Sequence, residues 1–181
     1  MWQIMAFFVG ALLLALFSRR VFSNLRSHGF FRFLAFVSGW AVITISASRW
    51  FQDLLSARQI VSWLLLIGSA LLAASGFYLL KAVGKPSPKG TSTNFAFEQT
   101  SRLVTTGPFR YIRHPLYASL ILLVWGAMLK SGSLASIFFT LLATGFLFIA
   151  ARVEEEENLE RFGETYAEYM ERTKMFVPGV F

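Results

Sequence analysis

Five apolar runs joined by short, mostly basic connections predict an all-α integral membrane protein of about five transmembrane helices. Three observations carry that expectation. The chain of 181 residues is 55% hydrophobic and only 15% charged, against roughly 45–50% and about a quarter in a soluble domain. Its mean hydropathy is +0.56. The apolar residues are segmented, falling at 2–17, 33–48, 60–80, 116–129 and 134–151, with polar or turn-forming stretches between them.

A span needs about 20 residues, with roughly 17–25 tolerated. Runs 60–80 and 134–151 meet this, while 2–17 and 33–48 fall slightly short. Run 116–129 covers only about 21 Å as a helix, so either the helix begins before Leu116 or the bilayer thins beside it. No Lys or Arg precedes Phe17, and Arg19 and Arg20 follow it. That order is the reverse of a secretory signal and predicts a retained anchor with its N-terminus outside. Lys130-Ser131-Gly132-Ser133 predicts a tight polar turn that makes helices four and five an antiparallel hairpin. The stretch 84–94 is rich in chain breakers and polar residues. The expected organisation is one folded unit: three N-terminal spans (1–80), a connection (81–115), the hairpin (116–151), and a cytoplasmic amphipathic helix with its tail (152–181).

Charge sets the expected orientation. The first connection holds Arg19, Arg20, Arg26 and Arg32 without an acid, and the third holds Lys81, Lys85, Lys89, Arg102, Arg110 and Arg113 against Glu98. The second has Arg49 and Arg58 with Asp53, and the fourth only Lys130. The positive-inside rule makes the first and third cytoplasmic, together with the C-terminus. The net charge of +7 is then mostly topology, and no nucleic-acid partner is expected. The absence of cysteine excludes disulfides, thiolate metal sites and a cysteine nucleophile. Two histidines supply too few ligands for a metal site, and His28 is expected to be a solvated loop residue. Gly10, Gly39, Gly68 and Gly76, single in apolar runs, are expected to serve close helix packing.

Two segments carry chemistry. In the first, residues 103–117, Gly107-Pro108 marks a turn, and Pro115 suits the first position of a helix. Pro115 also pushes His114 toward extended geometry, placing it at the helix mouth beside unpaired N–H groups that attract anions. Phe109 and Tyr111 fit an interfacial aromatic belt, with Arg110 and Arg113 reaching toward head groups. In the second, Arg152-Val153-Glu154-Glu155-Glu156-Glu157 leads into Phe162-Gly163 and Tyr166. On steps of about 100° per residue, Arg152, Glu155, Glu156, Leu159, Phe162 and Tyr166 share one face. Glu154 and Glu157 fall on the other and are expected to be solvated. Arg152 and Glu156, four apart and able to pair, are therefore expected on the apolar side, where ionised groups are costly and signal function.

In this order, the two segments resemble the isoprenylcysteine carboxyl methyltransferase and phospholipid methyltransferase family of membrane enzymes. The resemblance runs from about Asn94 to Pro178 through Arg113-His114-Pro115-Leu116-Tyr117, the hairpin, residues 152–157, Phe162-Gly163, Tyr166, Tyr169 and a late proline. It implies S-adenosylmethionine as cofactor, held by Ser101, Arg102, Leu103, Val104, Phe109, His114, Pro115, Leu116, Tyr117 and Glu156, with Arg152 facing the substrate. Arg152 and Glu156 are then the expected catalytic residues. The chain departs from the family at Ser101, Phe109 and Asn94, each of which removes or shortens a polar contact. The implied partners are a lipophilic substrate from the bilayer and membrane lipids: an isoprenylcysteine-type carboxylate, a lipid head group or a small isoprenoid acid.

Two other readings compete. Membrane sterol reductases using NADPH have a similar Arg-His-Pro hairpin, but the acids at 154–157 would repel the phosphates of NADPH. A non-enzymatic scaffold with a partner-binding C-terminal helix leaves an inward Arg152 and Glu156 without a purpose.

Overall fold

The computed structural model describes residues 2–84 and 102–179. Among these, six α-helices follow in order: α1 (Trp2–Phe17), α2 (His28–Ser46), α3 (Ala57–Val83), α4 (Pro115–Ser131), α5 (Leu134–Phe162) and α6 (Glu164–Arg172). Their starts are written locally. Ser27, Ser56 and Ser133 each accept a backbone N–H of the first turn of α2, α3 and α5, satisfying donors that a helix start otherwise leaves orphaned. Pro115 opens α4. Gly132, at φ +62°, closes it, returning its N–H to the Met128 carbonyl. That left-handed turn favours glycine, and Ser133 starts α5 directly after it.

Three stretches are long and apolar enough to cross a membrane: His28–Arg49, Ala57–Val83 and Leu134–Phe162. α1 and α4 are shorter apolar helices. α4 begins at Pro115, only one residue before Leu116, and its 17 residues cover about 25 Å, still less than the roughly 30 Å hydrocarbon layer.

Packing is pairwise. α4 lies mainly on α3, and α5 mainly on α2, while α1 rests on α2. α4 and α5, though joined by two residues, share a smaller interface than either has with its principal partner. In lipid there is no hydrophobic drive between helices, so small residues and interhelical hydrogen bonds hold them. Ser62 donates to the Gly126 carbonyl (2.6 Å) and Ser69 to the Ser119 carbonyl (2.7 Å) across the α3–α4 contact. Trp40 donates to the Ala6 carbonyl at 3.2 Å, and a Cβ on Gly10 would overlap the Trp40 ring. Gly39 and Gly76 are also closely approached, by Val124 and Leu116. Between α2 and α5 the core is Ala35 against Leu147, Ala150 and Ala151, continued by Tyr117, Ile112, Met175 and Phe176.

Three expectations are corrected. Lys130 is not a turn residue, because α4 continues past it; it is fully buried, donating to Gln59 Oε1 at 2.8 Å with Nζ 3.7 Å from the Trp63 ring centroid. His28 is not a solvated loop residue but the first residue of α2, 1% exposed. No separate helix begins at Arg152: α5 runs unbroken to Phe162, and the break comes at Gly163, whose φ of +57° leads into α6.

A Cβ on Gly126 would lie 3.0 Å from the Leu66 side chain and 3.1 Å from the Ser62 carbonyl, whereas one on Gly145 meets nothing within 4 Å. Gly126→Ala is therefore expected to destabilise the α3–α4 contact by about 1–3 kcal/mol. Gly145→Ala should be neutral or stabilising by up to about 1 kcal/mol. Thermal melts of the two variants in detergent test the contrast.

Candidate functional site

The site begins at the mouth of α4. A short 3-10 turn (Gly107–Arg110) leads into Tyr111–His114, which meets the returning C-terminal tail in a parallel bridge between Ile112 and Lys174. The Lys174 N–H donates to the Tyr111 carbonyl at 3.1 Å, Arg113 N–H to the Lys174 carbonyl at 2.8 Å, and His114 N–H to the Met175 carbonyl at 3.2 Å. His114 caps α4 at φ −121°, ψ 62°, the non-helical geometry that a following proline imposes. Its ring stacks on Tyr117, centroids 5.5 Å apart and planes within 6°.

A buried ion pair locks this mouth to α5. Arg113 Nε donates to Glu155 Oε1 at 2.6 Å, and His114 Nε2 lies 3.3 Å from the same oxygen. Arg113 Nη1 donates to the carbonyls of Thr173 (2.6 Å) and Met170 (3.3 Å). One guanidinium thus joins α4, α5 and the tail after α6. Its role is interior, correcting the expectation that Arg113 reaches for head groups.

Between the α4 mouth, the polar end of α5, and α6 lies a cavity. Leu103, Val104 and Phe109 form one wall, His114 to Tyr117 a second, and Glu154, Asn158 and Phe162 a third; Leu80, Arg113, Tyr166 and Tyr169 complete it. The Glu154 carboxylate shares this cavity with the Tyr117 hydroxyl and the His114 ring. Asn158 hydrogen-bonds Tyr166, and the Tyr169 hydroxyl donates to the Phe109 carbonyl at 2.6 Å. Burial pushes both phenols above the ordinary tyrosine range, so Tyr166 and Tyr169 are neutral at physiological pH.

Seven of the residues expected around a cofactor meet here: Leu103, Val104, Phe109, His114, Pro115, Leu116 and Tyr117. Arg102 does not. It is exposed, its N–H bonded to the Gly84 carbonyl at 3.2 Å. Ser101 and Asn94 lie outside the described residues. Phe109, expected at a lipid interface, is buried in the cavity wall.

The expected inward face of residues 152–157 is corrected. Arg152 and Glu156 are exposed and do not line the cavity. Glu154 lines it instead, and Glu157 pairs with His28; neither is simply solvated. Glu155 is inward, as its place on the wheel implies. The difference has two causes. A wheel drawn from Arg152 to Tyr166 crosses Gly163, where the helix breaks. And the interior side of α5 is marked by Ala143, Leu147, Ala150 and Ala151, its buried small and apolar residues. On about 100° steps from Leu147, Glu154 and Asn158 fall within about 20° of that side, and Glu156 about 180° away. That alanine stripe is the signal in the sequence that points to Glu154 and Asn158.

Among its described residues the protein is an all-helical integral membrane protein with a cavity lined by polar and aromatic side chains. Residues 58–165, more than half of the chain, match the phospholipid methyltransferase family. The chain belongs to that family, in agreement with the resemblance read from its motifs. It is also similar to methanethiol S-methyltransferase 1 of Bradyrhizobium diazoefficiens, 27% identical over 70 residues, covering 39% of this chain and 24% of that protein. The methanethiol S-methyltransferase of Pseudomonas sp. (strain GM41(2012)) is 29% identical over 70 residues, covering 39% and 26%. That of Mycobacterium tuberculosis is 30% identical over 71 residues, covering 39% and 28%. The match thus spans about a quarter of the length of these relatives. No solved structure matches the chain.

Arg113→Ala strands the buried Glu155 and frees the tail. An expected loss of about 3–5 kcal/mol should appear as a lowered melting temperature and faster proteolysis near residue 173. Arg113→Lys should recover little, since one ammonium cannot span a carboxylate and two carbonyls as a guanidinium fork does.

Proposed function

We propose that the protein is an S-adenosylmethionine-dependent methyltransferase, with its cofactor in the cavity between α4, α5 and α6, acting on an apolar molecule that carries a thiol or an amine. The observation that carries this reading is Glu154, a carboxylate set among apolar and aromatic side chains in the cavity of a chain of this family.

The donor set suits the cofactor. Glu154 offers a counter-charge to a cationic group, whereas it would oppose the phosphates of NADPH. The N–H groups of Leu116 and Tyr117, in the first turn of α4 and so without intrahelical partners, would receive a carboxylate. Leu103, Val104 and Phe109 provide an apolar wall for a nucleoside. S-Adenosylmethionine supplies a methyl group on a positively charged sulfur, and the protein's task is to align the acceptor with it.

The acceptor class follows from the arginines. Arg113 lines the cavity, but its guanidinium is engaged by Glu155 and two carbonyls. Arg152 lies on the outer side of α5, its guanidinium 5.4 Å from the Phe148 ring centroid, placed for lipid head groups rather than the cavity. Among the described residues, no guanidinium in the cavity is left to orient a carboxylate. This favours a thiol or an amine over an isoprenylcysteine-type carboxylate, consistent with a family described by phospholipid and with relatives named for methanethiol. Such a nucleophile has to lose a proton before attack, and the His114 ring in the cavity wall offers an acceptor for it. The basic first and third connections support a cytoplasmic location for this end of the bundle, with the N-terminus outside, and an apolar acceptor would reach it from the bilayer.

Incubating the purified protein and a membrane lipid extract with methyl-labelled S-adenosylmethionine should transfer label into a base-stable product, a thioether or an amine. A base-labile ester would return the choice to a carboxylate, and saturable NADPH binding without S-adenosylmethionine binding would overturn the reading. Glu154→Gln is expected to weaken S-adenosylmethionine binding about tenfold or more, roughly 1.4 kcal/mol. Glu156→Gln should stay within about twofold of wild type in the same titration, because its side chain points away from the cavity.

A further inference from the structure

We infer that α2, which lies outside the family-matched residues 58–165, supplies positioning residues for this site: His28 and Arg32 fix the polar end of α5, the helix side from which Glu154 faces the cavity. The inference rests on Glu154 being a cofactor contact, as proposed above.

His28 is the first residue of α2 and 1% exposed, with Nδ1 2.8 Å from Glu157 Oε2. Arg32 is one turn further along α2 and 3% exposed. Glu154 precedes Glu157 by three residues, so both lie on neighbouring parts of one helix side. Glu154 lies within electrostatic reach of His114, at the α4 mouth, and of His28 and Arg32, both on α2. Also at this end are Glu155 and Arg113, which bind each other, Tyr117 of α4, and Tyr166 and Tyr169 of α6.

Joining α2 to α5 does not require these charges. Ala35 already packs against Leu147, Ala150 and Ala151, and ionised groups buried beside a membrane are costly unless they have a task. The task visible here is positional. Through Glu157, the His28 ring pins the side of α5 that also carries Glu154, and it does so from a helix that does not line the cavity. The N-terminal half would thus be part of the enzyme's binding machinery as well as its anchor.

The test uses the full-length protein in detergent, reading the Kd for S-adenosylmethionine by calorimetry, the separate KM values for cofactor and acceptor, and the melting temperature. Arg32→Gln and His28→Gln are expected to raise Kd and KM for S-adenosylmethionine about tenfold while the acceptor KM stays within about twofold. Arg32→Lys should restore most of the affinity, and exposed Arg20→Gln should change nothing. Should Arg32→Gln or His28→Gln fail to insert, Glu157→Gln decides, as a milder change that unpins His28; it is expected to raise the cofactor Kd by about threefold or more. A purely structural pair would lower the melting temperature and leave the Kd of the folded fraction untouched, which overturns the inference. Wild-type protein that fails to bind S-adenosylmethionine would instead overturn the cofactor assignment itself. Binding by wild type with equal Kd in the folded variants sinks only the role given to α2.

Discussion

A single buried arginine–carboxylate contact organises the cavity end of the bundle. Arg113 and Glu155 are 42 residues apart in sequence and 2.6 Å apart in space. Through that contact the mouth of α4, the end of α5 and the tail after α6 become one rigid corner. Side-chain exposures of 10% and 3% mean that both ions have left most of their water, a loss repaid only by close geometry and by filling the remaining hydrogen-bonding positions. The Thr173 and Met170 carbonyls and the His114 ring do this. The cavity exists because this corner holds His114 and Tyr117 on one side and Glu154 and Asn158 on the other.

Polarity is concentrated at the two ends of the bundle, as expected where no water is available to the middle. One end holds the layer of His28, Arg32, Arg113, His114, Glu154, Glu155 and Glu157. The other holds Lys130 against Gln59 and Trp63, with Arg49 donating to the Ser131 carbonyl at the C-terminal end of α4. Between them, contact rests on glycine, alanine and serine at close approach. The short α4 suits this plan, because its brief length brings a polar layer at each of its ends within reach of neighbouring helices.

Part of the candidate site is legible in the amino-acid sequence. Pro115 dictates the geometry of His114, and the stretch from Leu103 to Tyr117 contains eight residues that line the cavity. The acidic run is harder to read. Four successive glutamates offer every direction around a helix, and composition cannot choose among them. The choice depends on which side of α5 meets α2, a tertiary fact that the alanine stripe only hints at. Arg113 and Lys130 mislead for a related reason: long side chains on flexible stems reach partners set by other helices, so local sequence reports their charge but not their direction.

Sequence by itself determined the class of the protein and its punctuation. Apolar runs longer than any soluble core needs, serines before three helices, a proline opening α4 and a glycine closing it are local facts that physics reads directly. Tertiary structure alone decided which glutamate faces the cavity, that His28 is interior, and that α4 and α5 pack chiefly on α3 and α2 rather than on each other. The physical reason is the same for all three. In a membrane, the facing of a helix is settled by shape and by pairing of costly charges, and both belong to two helices at once.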